Sequence, residues 1–312
     1  MTTYHLATIK SAPASGRDPS LSYANLRASV RHYEQLRSCT GLGRRKNPIM
    51  SHEGANSKLA KVSPRPGVDA HMILSLSLAP ADSAGIDVCP SRSAGCTAGC
   101  LGHNAGHSVM GVGCANNPSM PTPVRTARIM RTRELFGGGA PAMAALRSIE
   151  KEIASFQKRC FKAKKLPAVR LNAFSDIMWE IMWPELFVRF PMVRFYDYTK
   201  IGSRLDSLLP PNYHLTLSHN EDNAATVVSA LYRGHNVAMV FGVKNAEDMP
   251  KNWWGYPVLD GTADDMRFLD PKNCIVGLTW KGPTSKAEYA VSLQNALASG
   301  FAVSATIAGA TH

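Results

Sequence analysis

Strand-like and helix-like segments alternate along most of this chain, and that alternation limits the fold more than any other feature of the sequence. Apolar runs rich in β-branched and aromatic residues predict strands at Val169–Phe174, Val193–Tyr198, His214–Ser218, Val237–Phe241 and Ile275–Thr279. With Met72–Leu78 and Phe301–Ile307, about seven or eight strands are available. Helices joined to strands by short connections are typical of parallel sheets. We therefore predict a barrel-like α/β fold, a complete or partial (β/α) barrel of parallel strands, with a doubly wound open sheet as the alternative.

The predicted helices have apolar faces and recognisable ends. Apolar residues recur every three or four positions from Met143 to Cys160, which predicts an amphipathic helix. A second helix is expected over Asn223–Arg233, with Gly234 placed to end it. The pattern Ser285-x-x-Glu288 is typical of the start of a helix and predicts another one.

Composition divides the chain into two parts. Residues 1–67 form a basic, loop-rich N-terminal segment that is rich in Gly, Pro and Ser. Residues 68–312 hold the predicted barrel-like domain, in which residues 79–123 form a Cys-rich loop. A loop of that length inside a domain is usually functional. No Gly-x-Gly-x-x-Gly or Gly-x4-Gly-Lys-Ser/Thr motif follows a predicted strand, so nothing in the sequence indicates a nucleotide-phosphate loop.

The net charge of +12 comes from two stretches of the chain. Residues 1–72 contain 11 Lys and Arg against 4 Asp and Glu, and residues 121–170 contain 12 against 3. Residues 171–312 are slightly acidic, with 11 Lys and Arg against 14 Asp and Glu. This asymmetry predicts DNA or RNA as a partner of residues 1–72 and 121–170. The alternative is a solvated helix face, and both interpretations fit the closely spaced Arg125, Arg128, Arg131 and Arg133.

Several classes of protein are disfavoured. No apolar run reaches the roughly 18 residues of a membrane span, so no membrane partner is expected. The first ten residues lack the apolar core of a secretion signal. Seven cysteines in a chain without such a signal do not suggest a disulfide framework. Metal binding, redox chemistry and simple burial are the remaining explanations for the cysteines.

Three of these cysteines lie close together in the long loop. Cys89, Cys96 and Cys100 have the spacing C-x6-C-x3-C and follow the first predicted barrel strand. In a barrel, that edge of the sheet carries the active site. The same stretch contains Gly95 and Gly99, followed by Gly102, which leave room for the backbone to wrap around an inorganic cluster.

The cysteine spacing is compatible with three kinds of site. Three thiolates on a [4Fe–4S] cluster leave one iron free to bind a substrate or a cofactor such as S-adenosylmethionine. A zinc ion would need a fourth ligand, for which His103, His107 and Cys114 are the candidates. Three reduced thiols with no metal are the third reading. The softness of thiolate ligands favours the iron–sulfur cluster, with zinc as the alternative.

Polar residues follow three of the later predicted strands. Because the carboxyl ends of barrel strands meet at one mouth, we expect these residues to line one pocket with the cysteines. Helix capping is the ordinary alternative for such residues. The candidate catalytic residues are Asp176, Lys200 and His219. The candidate cofactor-binding residues are Asn172, Thr199 and Ser218.

Two further candidate cofactor-binding residues precede the first predicted barrel strand. Asn56 and Lys58 would lie near the cysteines if residues 50–61 packed over the barrel mouth, where they could contact an anionic ligand. A turn with a surface lysine is the alternative.

A set of motifs between roughly residues 50 and 285 occurs in a consistent order. The motifs are Gly54-Ala-Asn56-Ser-Lys58-Leu59, Leu-Ala-Pro-Ala81, Cys89-Pro-x5-Cys96-x3-Cys100-Leu101, Val169-Arg170-Leu-Asn172-x3-Asp176, Phe195-Tyr-x-Tyr198-Thr199-Lys200 and Asp264-x-x-Arg267-x-x-Asp270. Together they resemble the "gene product 88" family of tailed phages.

This resemblance implies a phage-encoded protein, expected in the cytoplasm of the host cell. Through its cysteine loop and strand-end Asp and Lys, the family is similar to partial-barrel relatives of radical S-adenosylmethionine enzymes. That similarity implies an iron–sulfur enzyme. The positive charge and the phage origin that the resemblance implies fit a substrate linked to nucleic acid. The chain departs from the radical pattern in its cysteine spacing and in having Leu101 after Cys100. The alternative is a nucleic-acid-associated phage protein with a structural zinc site.

Overall fold

A computed structural model describes residues 18–38, 47–52, 65–104, 122–282 and 286–306. Its centre is a ten-stranded sheet in the order β1-β2-β3-β4-β5-β6-β9-β8-β7, with β10 paired to β6. Only the β1–β2 and β7–β8 pairs among the described strands are antiparallel. The strands are β1 Met50–His52, β2 His71–Leu76, β3 Leu166–Arg170, β4 Arg194–Thr199, β5 Tyr213–Ser218, β6 Val237–Phe241, β7 Asn252–Trp253, β8 Tyr256–Asp260, β9 Ile275–Thr279 and β10 Ala302–Val303.

The predicted helices are present, with others inside the loop that the sequence left irregular. They are α1 Tyr23–Leu36, α2 Ala94–Ala98, α3 Leu101–Asn104, α4 Pro123–Gly137, α5 Gly139–Lys162, α6 Trp179–Met182, α7 Pro184–Arg189, α8 Ala224–Tyr232 and α9 Lys286–Ser299. Helix α5 buries the periodic face that predicted it. Helix α8 ends as expected at Gly234, which has a φ of +83°. No helix in the described ranges combines the length and the apolar character needed to cross a bilayer.

Successive side chains of a strand point to opposite faces of the sheet, and the two faces are covered differently. One face of β2–β5 packs against α1, α5 and α7, and the same face of β6 and β9 packs against α8. On the other face, Ile73, Ala168 and Tyr196 pack against Met266 and its neighbours. The fold is therefore layered, with the larger core under the helices.

The N-terminal segment contributes to this main core. Leu26, Val30 and Tyr33 of α1 are buried against the same cluster as α5. Strand β1 extends the sheet by pairing with β2. Helix α1 and strand β1 therefore share a core with the rest of the chain. The domain boundary predicted at residue 67 stays a prediction.

The predicted parallel α/β architecture is confirmed, whereas closure of a barrel is not observed. The two ends of the sheet, β1 and β7, do not pair with each other among the described strands. Strand β5 pairs with Val237 and Ala238 of β6, and β10 takes the positions beside Val240 and Phe241. Strand β6 thus extends beyond the end of β5 at the carboxyl edge. Ser218 pairs with Ala238, the His219 amide donates to the Ala238 carbonyl at 2.8 Å, and β10 lies beside the rest of β6.

Candidate functional site

The three cysteines lie in the stretch 79–104, the described part of the predicted Cys-rich loop, which we call the cysteine loop. Helix α2 begins inside it because the Ser93 hydroxyl accepts a hydrogen bond from the Cys96 amide at 3.1 Å. Serine is a favoured residue at this capping position. Two of the three cysteines, Cys96 and Cys100, are thereby placed on or just after one short helix.

The cysteine loop is tied across the carboxyl edge of the parallel sheet. After β3, the Asp176 amide donates to the Val88 carbonyl at 2.8 Å. After β5, the Asn220 side chain donates to the Ser91 carbonyl at 3.3 Å. The loop therefore spans the ends of neighbouring strands, which is the edge where ligands bind in α/β sheets.

Glu221 fastens the same loop from the end of β5. Its carboxylate accepts a hydrogen bond from the Ser93 hydroxyl at 2.6 Å and another from the Gly95 amide. Burial alone would raise the pKa of Glu221, but these donors outweigh it and lower that pKa. Sequence reasoning missed this residue, although it lies two positions after the candidate His219.

The glycines of the loop serve close packing rather than free space, which corrects the expectation from the sequence. A Cβ atom at Gly95 would lie 2.6 Å from the Cβ of Phe301, and one at Gly99 would lie 3.0 Å from the Trp280 ring. A Cβ atom at Gly102 would lie 2.9 Å from the Pro80 side chain and 3.1 Å from the Phe174 ring. The glycines thus let the cysteine loop lie directly on the residues after β9 and before β10.

Cys89 is held at the end of β3. Its thiol donates to the Phe174 carbonyl at 3.3 Å, and its amide donates to Asp87. Burial is the main reason that the pKa of the Cys89 thiol is raised well above its usual range. The charges of Cys100, Asp176 and Cys96 raise it further.

Cys96 and Cys100 have different surroundings. Cys96 packs against the apolar cluster around Trp280 and Phe301. Burial lowers the pKa of Arg128 to about 10, and the nearby Cys100 acts in the opposite direction. One loop therefore places one thiol on an apolar surface and another beside a guanidinium group.

The described residues contain no group of three or more Cys, His, Asp or Glu side chains arranged to hold a metal ion. The donor set itself suits a soft metal, because three free thiols share one short loop. A cluster at these cysteines would require the thiols to move closer together.

Asp176 holds the end of β4 in place. One of its oxygens accepts hydrogen bonds from the Lys200 amide at 2.8 Å and from the Thr199 hydroxyl at 3.2 Å. Its other oxygen forms a buried ion pair with Arg204 at 2.7 Å. Arg204 is a further residue that the sequence did not reveal. The carboxylate is fully engaged, so in this structure it positions Lys200.

Lys200, Ser218 and His219 lie at the carboxyl ends of the neighbouring strands β4 and β5. The Lys200 ammonium donates to the Ser218 hydroxyl at 2.9 Å. His219 is buried, and its Nδ1 has no hydrogen-bond partner among the described residues. Burial lowers the pKa of His219, and the charge of Lys200 lowers it further. The structure thus brings together three of the predicted residues as a polar group beside the cysteine loop.

Asn172, a candidate cofactor-binding residue, is buried and engaged inside the protein. Its side chain donates to the Ile177 carbonyl at 2.9 Å and to Asp197 at 3.2 Å, and it accepts from Ser175 at 2.8 Å. These bonds hold the turn after β3. Burial raises the pKa of Asp197 to about 7, against the opposing effects of Arg170 and the Asn172 amide. A role for Asn172 in cofactor binding stays a prediction.

The arginines of α4 differ in exposure: Arg133 is exposed, whereas others are covered by the protein. A role of this helix in nucleic-acid binding stays a prediction. Arg125 and Arg128 are buried. Arg128 donates to the Gly102 carbonyl at 3.0 Å and lies over the Phe174 ring at 4.2 Å. Arg128 therefore braces the cysteine loop, because a buried guanidinium group must donate to acceptors of the protein.

Two candidates cannot be placed. Asn56 and Lys58 lie outside the described residues, as do the potential zinc ligands His107 and Cys114. Their proposed contacts stay predictions from the sequence.

The comparison with protein families decides the relationship of this chain. The family model described as Gene product 88 matches residues 48–303. The chain belongs to the phage gene product 88 family. No curated protein and no solved structure matches it. The matched region of this gene product 88 protein includes β2–β10, the cysteine loop and all the candidate residues.

Proposed function

We propose that this gene product 88 protein is an iron–sulfur protein that binds a [4Fe–4S] cluster through Cys89, Cys96 and Cys100. The observation that carries the proposal is the placement of the cysteine loop across the carboxyl ends of β3 and β5. The loop brings three free thiols to that edge. Active sites of parallel α/β proteins are found at this edge.

A partial barrel is the architecture that we propose around this site. Helices α1, α5, α7 and α8 all pack on one face of the parallel strands, as helices do on the outside of a barrel. The opposite face would then be the interior. Ser218, at the carboxyl end of β5, would lie at the mouth of that interior, beside the cysteine loop.

Cluster binding would require proton release from the cysteine loop. The raised pKa of Cys89 keeps its thiol protonated near neutral pH. Because thiolates are the ligands, assembly must expel that proton, and metal affinity should increase with pH. The guanidinium group of Arg128 beside Cys100 would favour a thiolate there.

The residues beside the loop suit an anionic ligand. An iron without a protein ligand supplies a position for S-adenosylmethionine or a related cofactor. Lys200 would bind a carboxylate of such a ligand, since its ammonium group contacts only the neutral hydroxyl of Ser218 among the described residues. His219, kept neutral by its lowered pKa, would accept a proton at Nδ1. Asp176 and Thr199 would position Lys200.

The alternative is a structural zinc site in a nucleic-acid-associated protein. The tying of the cysteine loop by Glu221 and Asp176 would also suit a structural metal. Zinc would recruit a fourth ligand from residues outside the described ranges. The metal itself distinguishes the two functions.

Metal analysis of anaerobically purified protein tests the proposal. We expect iron and acid-labile sulfide in near-equal amounts with a broad visible absorption band. Cys89→Ser, Cys96→Ser and Cys100→Ser should each remove the iron, because a three-thiolate site tolerates no missing ligand. One zinc per chain would establish the alternative instead.

Cys114→Ser is the matched control, because it removes a thiol fourteen residues beyond Cys100. It should retain the full iron content. Circular dichroism and thermal unfolding should show that each variant is folded. Full iron content in folded Cys96→Ser would contradict the cluster assignment.

A further inference from the structure

We infer that the amino edge of the sheet carries a binding surface for the phosphate backbone of nucleic acid, centred on the end of α5. It consists of six exposed cations, which we call the basic edge: Lys158, Arg159, Lys162, Lys164, Lys165 and Arg194. This surface lies on the edge opposite the cysteine loop, and the inference does not depend on the proposed cluster.

The basic edge is unneutralised. None of its six cations forms an ion pair with a described residue, and residues 158–165 contain no acid. Arg194, at the start of β4, pairs beside Ala168 of β3 and donates only to the Pro211 carbonyl. The cations therefore come from two neighbouring elements and face solvent together.

Because two arginines of α4 are buried, they are not available to contact nucleic acid at the surface. Residues 121–170 carry much of the positive charge, but Arg125 and Arg128 are buried, and Arg128 donates a hydrogen bond to the cysteine loop. The exposed cations that remain in this stretch are concentrated at the end of α5. A polyanion attracted to this half of the chain would meet the basic edge first.

The backbone at Lys164 supplies an independent observation. Helix α5 ends with the Lys164 amide donating to the Phe161 carbonyl and the Lys165 amide donating to the Cys160 carbonyl. This is a Schellman motif, in which glycine is the usual residue at the left-handed position. Lys164 occupies that position with a φ of +56°.

Helix α8 has the same type of C-terminal motif with the usual glycine. It ends with the same pair of hydrogen bonds, and Gly234 holds the left-handed position there with a φ of +83°. A side chain in this conformation is strained by contact between its Cβ and the backbone. At the end of α5, Lys164 therefore lies in a strained left-handed conformation, and its charge adds to the like charges of the basic edge.

Phosphate is the chemistry that this surface fits. Lysine and arginine neutralise phosphates singly along a backbone, and the released counterions make binding strongly dependent on salt. Phe161, 47% exposed, lies among the cations and could stack on an unpaired base. This favours single-stranded nucleic acid over a lipid surface.

Fluorescence anisotropy with labelled single-stranded DNA, single-stranded RNA and duplex DNA tests the inference across a salt series. The native chain should bind, with an affinity that falls steeply between about 50 and 200 mM salt. Lys164→Gly should weaken binding roughly fivefold at about 0.1 M salt and reduce the slope by about one phosphate contact. The same variant should unfold at an equal or higher urea concentration, because glycine relieves the strained backbone.

Lys251→Ala is the matched control, because it removes one exposed lysine elsewhere on the surface. It should leave the salt slope nearly unchanged. The double variant Lys162→Glu/Lys165→Glu should abolish binding at about 0.1 M salt. The inference is overturned if the native chain does not bind at low salt, if Lys251→Ala and Lys164→Gly lose affinity equally, or if only vesicles of anionic lipid bind.

Discussion

At the scale of single residues, His214 shows how burial controls protonation in this protein. It lies on β5, and its Nε2 is 3.3 Å from the Thr216 hydroxyl. Burial lowers the pKa of His214 to about 4, and the charges of Arg194 and Arg267 act in the same direction. The folded protein therefore holds this imidazole neutral at a pH where an unfolded chain would protonate it.

His214→Gln should change the pH dependence of stability. Between about pH 4 and 6.5 the unfolded chain binds a proton that the folded chain excludes, so this histidine makes unfolding costlier as the pH rises. As the pH rises, the free energy of unfolding of the native chain should increase relative to that of the variant, by at most about 1.4 kcal/mol per pH unit. Urea unfolding across that range measures the difference, which should level off above about pH 7. A difference independent of pH would contradict the expectation.

At the scale of elements, the segment around residues 261–270 acts as a polar cover for one face of the sheet. Arg267 is buried and pairs with Asp264 at 3.0 Å and with Asp270 at 3.3 Å. Arg65 contacts the same two carboxylates. This buried network explains in structural terms the spacing of the Asp264-x-x-Arg267-x-x-Asp270 motif.

Arg267→Ala should destabilise the protein by about 3 kcal/mol, because it removes the more deeply buried of the two guanidinium groups that neutralise Asp264 and Asp270 and leaves only Arg65. Arg233→Ala is a suitable control, since Arg233 forms an exposed pair with Asp206 and is 36% exposed. That change should cost at most about 1 kcal/mol. Chemical unfolding of both variants provides the comparison. Equal losses would show that the network does not stabilise the sheet as proposed.

At the scale of the whole molecule, the two proposed sites lie on opposite edges of one sheet. The cysteine loop follows the carboxyl ends of the strands, and the basic edge precedes β3 and β4. A strand of five residues separates such edges by about 17 Å. Sites at that distance with no shared contacts are expected to act independently.

Cys96→Ser combined with Lys164→Gly should therefore show additive effects. The cysteine change should remove bound iron without altering the salt dependence of nucleic-acid binding. The lysine change should reduce that salt dependence without altering the iron content. Iron analysis and anisotropy titrations on the single and double variants test this. Loss of nucleic-acid binding in folded Cys96→Ser would instead mean that the two edges are coupled.

The sequence alone determined the alternation of strands and helices, because periodicity records which residues each element must bury. The strands β3–β6 and β9, helix α5 and the end of α8 at Gly234 all follow from local patterns. The gathering of cysteines in one loop after the first barrel strand was equally visible, since it is a matter of spacing. The short strands β1 and β7 were missed because two or three residues carry too little periodicity. The five-residue β8 was missed because it contains Pro257 and none of its residues is buried.

Tertiary structure decided what the polar residues do. Arg128 was one of several closely spaced arginines in the sequence, and only packing buried it against Phe174. The Asn172 side chain donates to Asp197 in the structure, a contact that the sequence did not reveal, and its role in cofactor binding stays a prediction. No sequence motif pointed to Glu221, yet its carboxylate accepts a hydrogen bond from Ser93 and holds the cysteine loop in place. A polar group can serve solvent, ligand or protein with the same chemistry, and its partner depends on which distant segments the fold brings against it.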